Sequence, residues 1–203
     1  MQTELDFHGR GGKRAGAGRK RSKRSGMPHL RRAELAARNP VHVTLRVGRG
    51  CWNLRSFRVL RVLEAAFHAG RERFGFRLAH YSIQANHLHL LVEAEGKESL
   101  ARGMKGLEVR LARALNRMMR RTGRVFGDRY RAHVLKTPRE AARALRYVLT
   151  NFAHHARAWG ERVKPAFIDP FSSVRYLAAS PGPSAPVAGA RTWLLRAGWM
   201  GAG

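Results

Sequence analysis

The chain has 203 residues, of which 40 are Lys or Arg and 13 are Asp or Glu, giving a formal net charge of +27 and an isoelectric point near 11.9. So basic a protein is steered to polyanions, nucleic acid first among them. No run of about 18 apolar residues is present to span a bilayer, a single cysteine excludes an internal disulfide, and the first residues hold no apolar signal core; the expected compartment is a reducing cytoplasm, beside the nucleoid.

Residues 1–38 are Gly-rich and basic, with no apolar period. They read as a flexible arm in which Lys13, Arg14, Arg19, Lys20 and Arg21 track a DNA backbone. Residues 1–40 carry a net charge of +8, leaving +19 on residues 41–203. A folded part that tolerates such self-repulsion is expected to have a phosphate-binding surface. Its 44% apolar content supports one core and a single domain of about 130–140 residues.

Residues 41–47 alternate, with Val43, Leu45 and Val47 on one face and His42, Thr44 and Arg46 on the other, which predicts a half-buried strand. After a turn at 48–50, which is followed by Cys51 as a passive loop or core residue, residues 54–68 read as a helix. Residues 76–84 and 87–93 read as a hairpin, turning at Gln84-Ala85-Asn86. In its second strand His87 and His89 point one way and Leu88, Leu90 and Val92 the other. Two neutral imidazoles side by side on a sheet face supply part of a divalent-metal site. A His-apolar-His triplet alone is a weak signal.

Residues 97–122 read as a long helix with a core stripe of Leu100, Met104, Leu107, Leu111, Leu115 and Met118. Arg110, Arg113, Arg117 and Arg120 form a ridge opposite, either solvated or contacting phosphates. Residues 125–135 read as the fourth strand, carrying Arg129 and Arg131 as further phosphate contacts. A helix opens at Pro138. Its Ala141, Leu145, Val148 and Phe152 draw an apolar stripe, while Arg143, Tyr147, Asn151 and His154 draw a second one opposite. Tyr147 and Asn151 are then neighbours, one turn apart on the polar face. That arrangement suits a tyrosine nucleophile beside an amide that completes a His-His-amide metal site, and equally a surface tyrosine snorkelling to water. Residues 180–190 read as a Pro/Ser/Gly/Ala linker to a short tail. In that tail Trp193, Leu194, Leu195 and Trp199 are the one hint of a membrane-surface segment or a base-stacking reader, and are better read as a packed helix.

The order β-α-β-β-α-β-α predicts an α+β, ferredoxin-like sheet with helices on one face and a C-terminal helix carrying the tyrosine. The opposite, open face displays His87 and His89, with His42, Thr44 and His133 as further candidates there. His42, His133 and His154 are otherwise ordinary surface or core histidines. The division expected is a basic arm over 1–38, a domain over 39–160 and an extension over 161–203.

Three ordered blocks now carry a resemblance: Asn86-His87-Leu88-His89-Leu90-Leu91-Val92, Gly123-Arg124-Val125-Phe126-Gly127-Asp128-Arg129-Tyr130 and Arg146-Tyr147-Val148-Leu149-Thr150-Asn151. Together they resemble the REP-associated tyrosine transposases, single-tyrosine members of the HUH (His-hydrophobic-His) nuclease class, over residues 40–160. The resemblance implies that His87 and His89 bind Mg²⁺ or Mn²⁺, that Asn151 is the third, amide ligand, and that Tyr147 is the nucleophile. It further implies cleavage and rejoining of hairpin-flanked single-stranded DNA through a 5′-phosphotyrosine, by a monomer or a helix-swapped homodimer. Ala85 and Phe152 stand where relatives often have proline. The rival readings are a non-catalytic nucleic-acid-binding module, which would be expected to expose aromatics on its sheet, a replication-initiation or relaxase enzyme, and a domesticated nuclease that processes chromosomal repeats.

Overall fold

The computed structural model describes residues 34–158, 167–177 and 181–202, with only the backbone over 153–158. The basic arm with Lys13, Arg14, Arg19, Lys20 and Arg21, and the side chain of His154, lie outside the described residues. The alternation of residues 41–47 becomes strand β1 (Val41–Arg46), with Val41, Val43 and Leu45 fully buried. Helix α1 (Phe57–Gly70) starts three residues later than the apolar pattern suggests, because the Ser56 hydroxyl accepts from the Val59 N–H and caps the helix there. A two-residue strand, β2 (Glu72–Arg73), turns through the left-handed Phe74 and Gly75 into β3 (Phe76–Ile83). The hairpin partner is β4 (His87–Ala94), and the sheet is antiparallel in the order β2-β3-β4-β1-β5, where β5 is Arg131–Val134.

Helix α2 (Lys97–Met118) packs with α1 over one face of the sheet. Leu63, Phe67, Leu107 and Leu111 meet Val43, Leu45, Leu88, Leu90 and Val92 there in the main core. The helix stops four residues earlier than the sequence pattern suggests. Arg120 and Gly123 take positive φ, and the N–H groups of Met119, Arg120 and Arg121 close onto the last carbonyls.

The fourth predicted strand is shorter than its apolar pattern. Residues 125–130 form a loop, tied down by a lone bridge between Val47 and Phe126 and a bond from Gly48 N–H to the Val125 carbonyl of 2.7 Å. Asp128 turns its carboxylate back onto the Arg129 N–H at 2.8 Å, a local bond that competes with ladder pairing.

The opposite face of the sheet is not open. Helix α3 (Pro138–Ala158) lies across it, with Ala144, Leu145, Val148 and Leu149 packed on Ala79, Leu91 and Leu135. These sheet residues are apolar and α3 has an apolar stripe, so each covers the other. Thr137 and Glu140 start α3 as a reciprocal capping box: the Thr137 hydroxyl accepts from Glu140 N–H, and the Glu140 carboxylate from Thr137 and Lys136 N–H. Those amides, that of Lys136 foremost, hold the Glu140 carboxyl below its ordinary value.

The stretch read as a linker is packed as well. Ala185, Pro186, Val187 and Ala188 are buried, and Ala188 N–H bonds the Leu78 carbonyl at 2.9 Å. The buried Glu93 carboxylate on β4 then accepts from the N–H groups of Arg191 and Thr192 and from the Thr192 hydroxyl. Leu195 and Trp199, at a turn of π-helix (Leu194–Gly198), pack beside α3.

Gly103 is where α2 crosses the sheet, and a methyl group there would fall inside the ring of Phe76. Gly103→Ala should cost about 1–3 kcal/mol of stability. Gly106→Ala meets only the flexible end of Arg110 and should gain up to about 1 kcal/mol from helix propensity. Urea unfolding midpoints of the two variants check both signs.

Candidate active site

The register of β4 decides which side chains meet under α3. Thr44 and Ser82 flank His89, and Arg46 flanks His87, so all five project from the face that α3 covers. The hairpin turn holds His87 in place: Gln84 N–H bonds the His87 carbonyl, and the carbonyls of Ala85 and Asn86 accept from Leu54 and Val47.

The two imidazoles turn the same atom toward each other. Their Nε2 atoms are 3.0 Å apart, with the rings nearly perpendicular at 87°. His87 Nδ1 lies 2.8 Å from the Asn86 amide oxygen. That oxygen only accepts, so Nδ1 carries the proton and Nε2 the lone pair. On the other ring, His89 Nδ1 faces His42 Nε2 at 3.1 Å and the Thr44 hydroxyl at 3.3 Å. The Tyr147 hydroxyl reaches across from α3 to 3.5 Å from His89 Nε2, its ring edge-on to His89 at a centroid distance of 5.0 Å. Tyr147 remains 40% exposed, so the hydroxyl is open to a substrate.

Asn151, one turn further along α3, is not on a solvated face as its stripe suggests. It is 1% exposed, and neither its amide oxygen nor its amide nitrogen has a hydrogen-bond partner. Its neighbour Phe152 lies under the Arg55 guanidinium at 3.9 Å, and Arg55 in turn bonds the Ile83 carbonyl at 2.9 Å. That carbonyl is at the end of β3 leading into the His87 turn, so the Asn151 end of α3 sits over the hairpin end of the sheet. A buried amide left unpaired costs about 1–3 kcal/mol per group, and a ligand that takes up its oxygen relieves that cost.

These residues fit a hard divalent ion. Two Nε2 atoms 3.0 Å apart match neighbouring ligands of an octahedral ion with bonds of about 2.1 Å. The amide oxygen adds the kind of donor such ions accept. Among the described residues no cluster of three or more His, Cys, Asp and Glu forms a closed site. A two-imidazole, one-amide set leaves positions for water and phosphate oxygen.

The charged candidates divide between two sides. Arg131, opposite Thr44, and Arg46, opposite His87, rise from the site face and are exposed. Arg143 is exposed one turn before Tyr147, and Arg129 is half-buried in the loop before β5. The ridge of Arg113 and Arg117 belongs to α2, across the sheet from Tyr147. Arg110 there is half-buried and bonded to the Gly106 carbonyl, and Arg120 has left the helix. His133, exposed, pairs across the strands with His42. Burial, and secondarily the charge of His133, pushes the His42 pKa down to about 4.

His42, Thr44 and Arg46 are the site neighbours that sequence reasoning undervalued. Their alternation on β1 was visible, but their pairing with His87 and His89 depends on a register between strands more than forty residues apart.

Two comparisons with known proteins find similarity. Residues 53–151 match the family described as Transposase IS200 like, a span that includes His87, His89, Tyr147 and Asn151. Among solved structures, the chain is similar to one described as a REP-associated tyrosine transposase bound to a REP hairpin. The TM-score is 0.57 at 13% identity, over 75% of this chain and 86% of that one. At that identity the likeness shows the fold, and it bears out the α+β reading. A search of curated proteins finds no match.

Because its amide is buried without partners, Asn151→Leu should raise stability toward urea by about 1 kcal/mol or more in metal-free buffer. If Asn151 ligates Mn²⁺, any stabilisation of the parent by added Mn²⁺ should be reduced in the same variant. Thermal melts with and without Mn²⁺ check both effects.

Proposed function

We propose, from the match of residues 53–151 to the IS200-like transposase family, that this chain cleaves and rejoins single-stranded DNA through Tyr147. The observation that carries the reading is the convergence of the His87 and His89 Nε2 atoms with the Tyr147 hydroxyl, one helical turn from the unpartnered Asn151 amide. His87, His89 and Asn151 would hold a divalent ion, Mg²⁺ or Mn²⁺, which would supply Lewis-acid catalysis at the scissile phosphate.

Tyr147 is placed as the nucleophile. Its hydroxyl loses a proton to solvent and attacks the phosphorus in line; the Oη–P bond forms as the P–O3′ bond breaks. The products are a 5′-phosphotyrosine and a free 3′-hydroxyl. In the reverse step a 3′-hydroxyl attacks the same phosphorus and returns the phenol. Bond energy is conserved, and no nucleotide cofactor is needed. Asn86 keeps the His87 proton on Nδ1, and the 40% exposure of Tyr147 admits a strand.

The substrate class is hairpin-flanked single-stranded DNA; the structurally similar transposase is described as bound to a REP hairpin. Arg46, Arg131 and Arg143 line the approach to Tyr147 as phosphate contacts, with Arg129 in the loop before β5, and Lys13, Arg14, Arg19, Lys20 and Arg21 of the N-terminal sequence add further basic side chains. Tyr147 meets His89 within one chain, which favours a site complete in a monomer over a helix exchanged between two.

Incubation with labelled hairpin oligonucleotides and Mn²⁺ should give a covalent protein–DNA adduct on a denaturing gel. The adduct should vanish with EDTA and in Tyr147→Phe. Persistence in Tyr147→Phe would move the nucleophile to Tyr130 or Tyr176, since Tyr81 is fully buried and bonded to Glu64. In salt titrations of hairpin binding, Arg131→Ala and Arg143→Ala should each weaken affinity and lower the salt slope by about 1. Arg113→Ala and Arg117→Ala, on the far layer, should leave both unchanged.

A further inference from the structure

We propose that His42 is a positioning residue: its Nε2 accepts the Nδ1 proton of His89 and so keeps the Nε2 lone pair of His89 turned toward His87 and Tyr147. The inference rests on His87 and His89 acting as the metal ligands proposed above. His42 lies outside the matched segment 53–151, on a strand that the family match does not cover.

A neutral imidazole carries one proton, and the partners of its two nitrogens decide which one holds it. His89 is contested on both sides. On one side, His87 Nε2 at 3.0 Å bears a lone pair, because Asn86 holds the His87 proton on Nδ1. Left alone, that lone pair draws the His89 proton onto Nε2 and blocks the atom needed for a metal. On the other side, His42 Nε2 at 3.1 Å and the Thr44 hydroxyl at 3.3 Å face Nδ1. A hydroxyl donates as readily as it accepts, so Thr44 does not set the tautomer. The His42 ring, tilted 34° to His89 at a centroid distance of 5.2 Å, presents Nε2, which accepts the His89 proton when His42 carries its own proton on Nδ1.

Pairing of β1 with β4 sets the geometry. Thr44 stands opposite His89, and His42 stands opposite Leu91, two residues further along β4 on the same face. The His42 ring also meets the Tyr147 ring edge-on at 5.8 Å, so it stands between the ligand histidine and the nucleophile's helix. Metal-binding histidines are commonly oriented by an acceptor on the distal nitrogen, and loss of that acceptor typically weakens metal binding about 10–100-fold.

The test is the His89 tautomer, read from long-range ¹H–¹⁵N NMR of the metal-free protein, together with Mn²⁺ affinity by electron paramagnetic resonance. The parent protein should show the proton on Nδ1. His42→Ala should move it to Nε2 and weaken Mn²⁺ binding about tenfold or more. His42→Gln, whose amide oxygen reaches the place of Nε2, should restore both. A His89 tautomer that is the same in the parent and in a folded His42→Ala would overturn the proposal. So would a shift produced by Thr44→Val and not by His42→Ala. If the parent bound no Mn²⁺, the metal reading of the site would fall, while the tautomers of parent and variants would still decide the role of His42.

Discussion

Everything at the site depends on the pairing of β4 between β3 and β1, because β4 uses both of its faces. Leu88, Leu90 and Val92 fill the main core beneath α1 and α2. His87, His89, Leu91 and Glu93 serve the other face, where α3, the candidate ligands and the C-terminal segment gather. A slip of one residue would exchange the two sets, placing imidazoles in a dry core and leucines under the tyrosine. Fully buried aliphatic side chains therefore fix the histidines more firmly than any contact within the site.

Docking of α3 brings in Tyr147, the proposed nucleophile, and three separate devices hold the helix. The Thr137–Glu140 capping box starts it. Leu145, Val148 and Leu149 bury its stripe against Leu91 and Ala79. At the far end the Arg55 guanidinium lies between the rings of Phe152 and Phe171, at 3.9 and 4.5 Å, and pairs with the buried Asp169 at 2.8 Å. Taking one partner from such a pair leaves an uncompensated buried charge, which is why it resists separation. Against this firm seat stands the Asn151 amide, buried with no partner. Among the described residues the buried side-chain atoms without a hydrogen-bond partner are the Asn116 amide oxygen and both amide atoms of Asn151, and Asn151 lies one turn from Tyr147, the only exposed helix tyrosine among them. That pattern fits a site maintained at some cost to stability.

The positive charge is spread over both layers of the molecule rather than focused on one. Arg46, Arg131 and Arg143 surround the histidines and tyrosine, and Arg113 and Arg117 lie on the far layer. On the proposed reading, charge on the near side would contact a scissile phosphate, whereas charge on the far layer would act only through the long-range field and make no phosphate contact of its own.

Local chemistry in the chain was enough to specify the alternation of β1 and β4, the shared face of His87 and His89, the apolar stripes of α2 and α3, and the one-turn spacing of Tyr147 and Asn151. Each of these follows from a period of 2 or 3.6 along a single segment. The three motif blocks, all within the matched residues 53–151, carried the family resemblance as well. Contacts between segments distant in sequence settled the rest. The expected open face is roofed by α3 because Leu91 and Ala79 need cover. Asn151 is buried at the end of α3 where Arg55, paired with Asp169, lies over Phe152, and a linker-like stretch packs as Ala188 bonds Leu78 and Glu93 holds the two residues just beyond it. His42 became a neighbour of His89 only through the register of β1 on β4. Such pairings reflect which surfaces can be buried together, a property of the assembled sheet and helices that no period within one segment records.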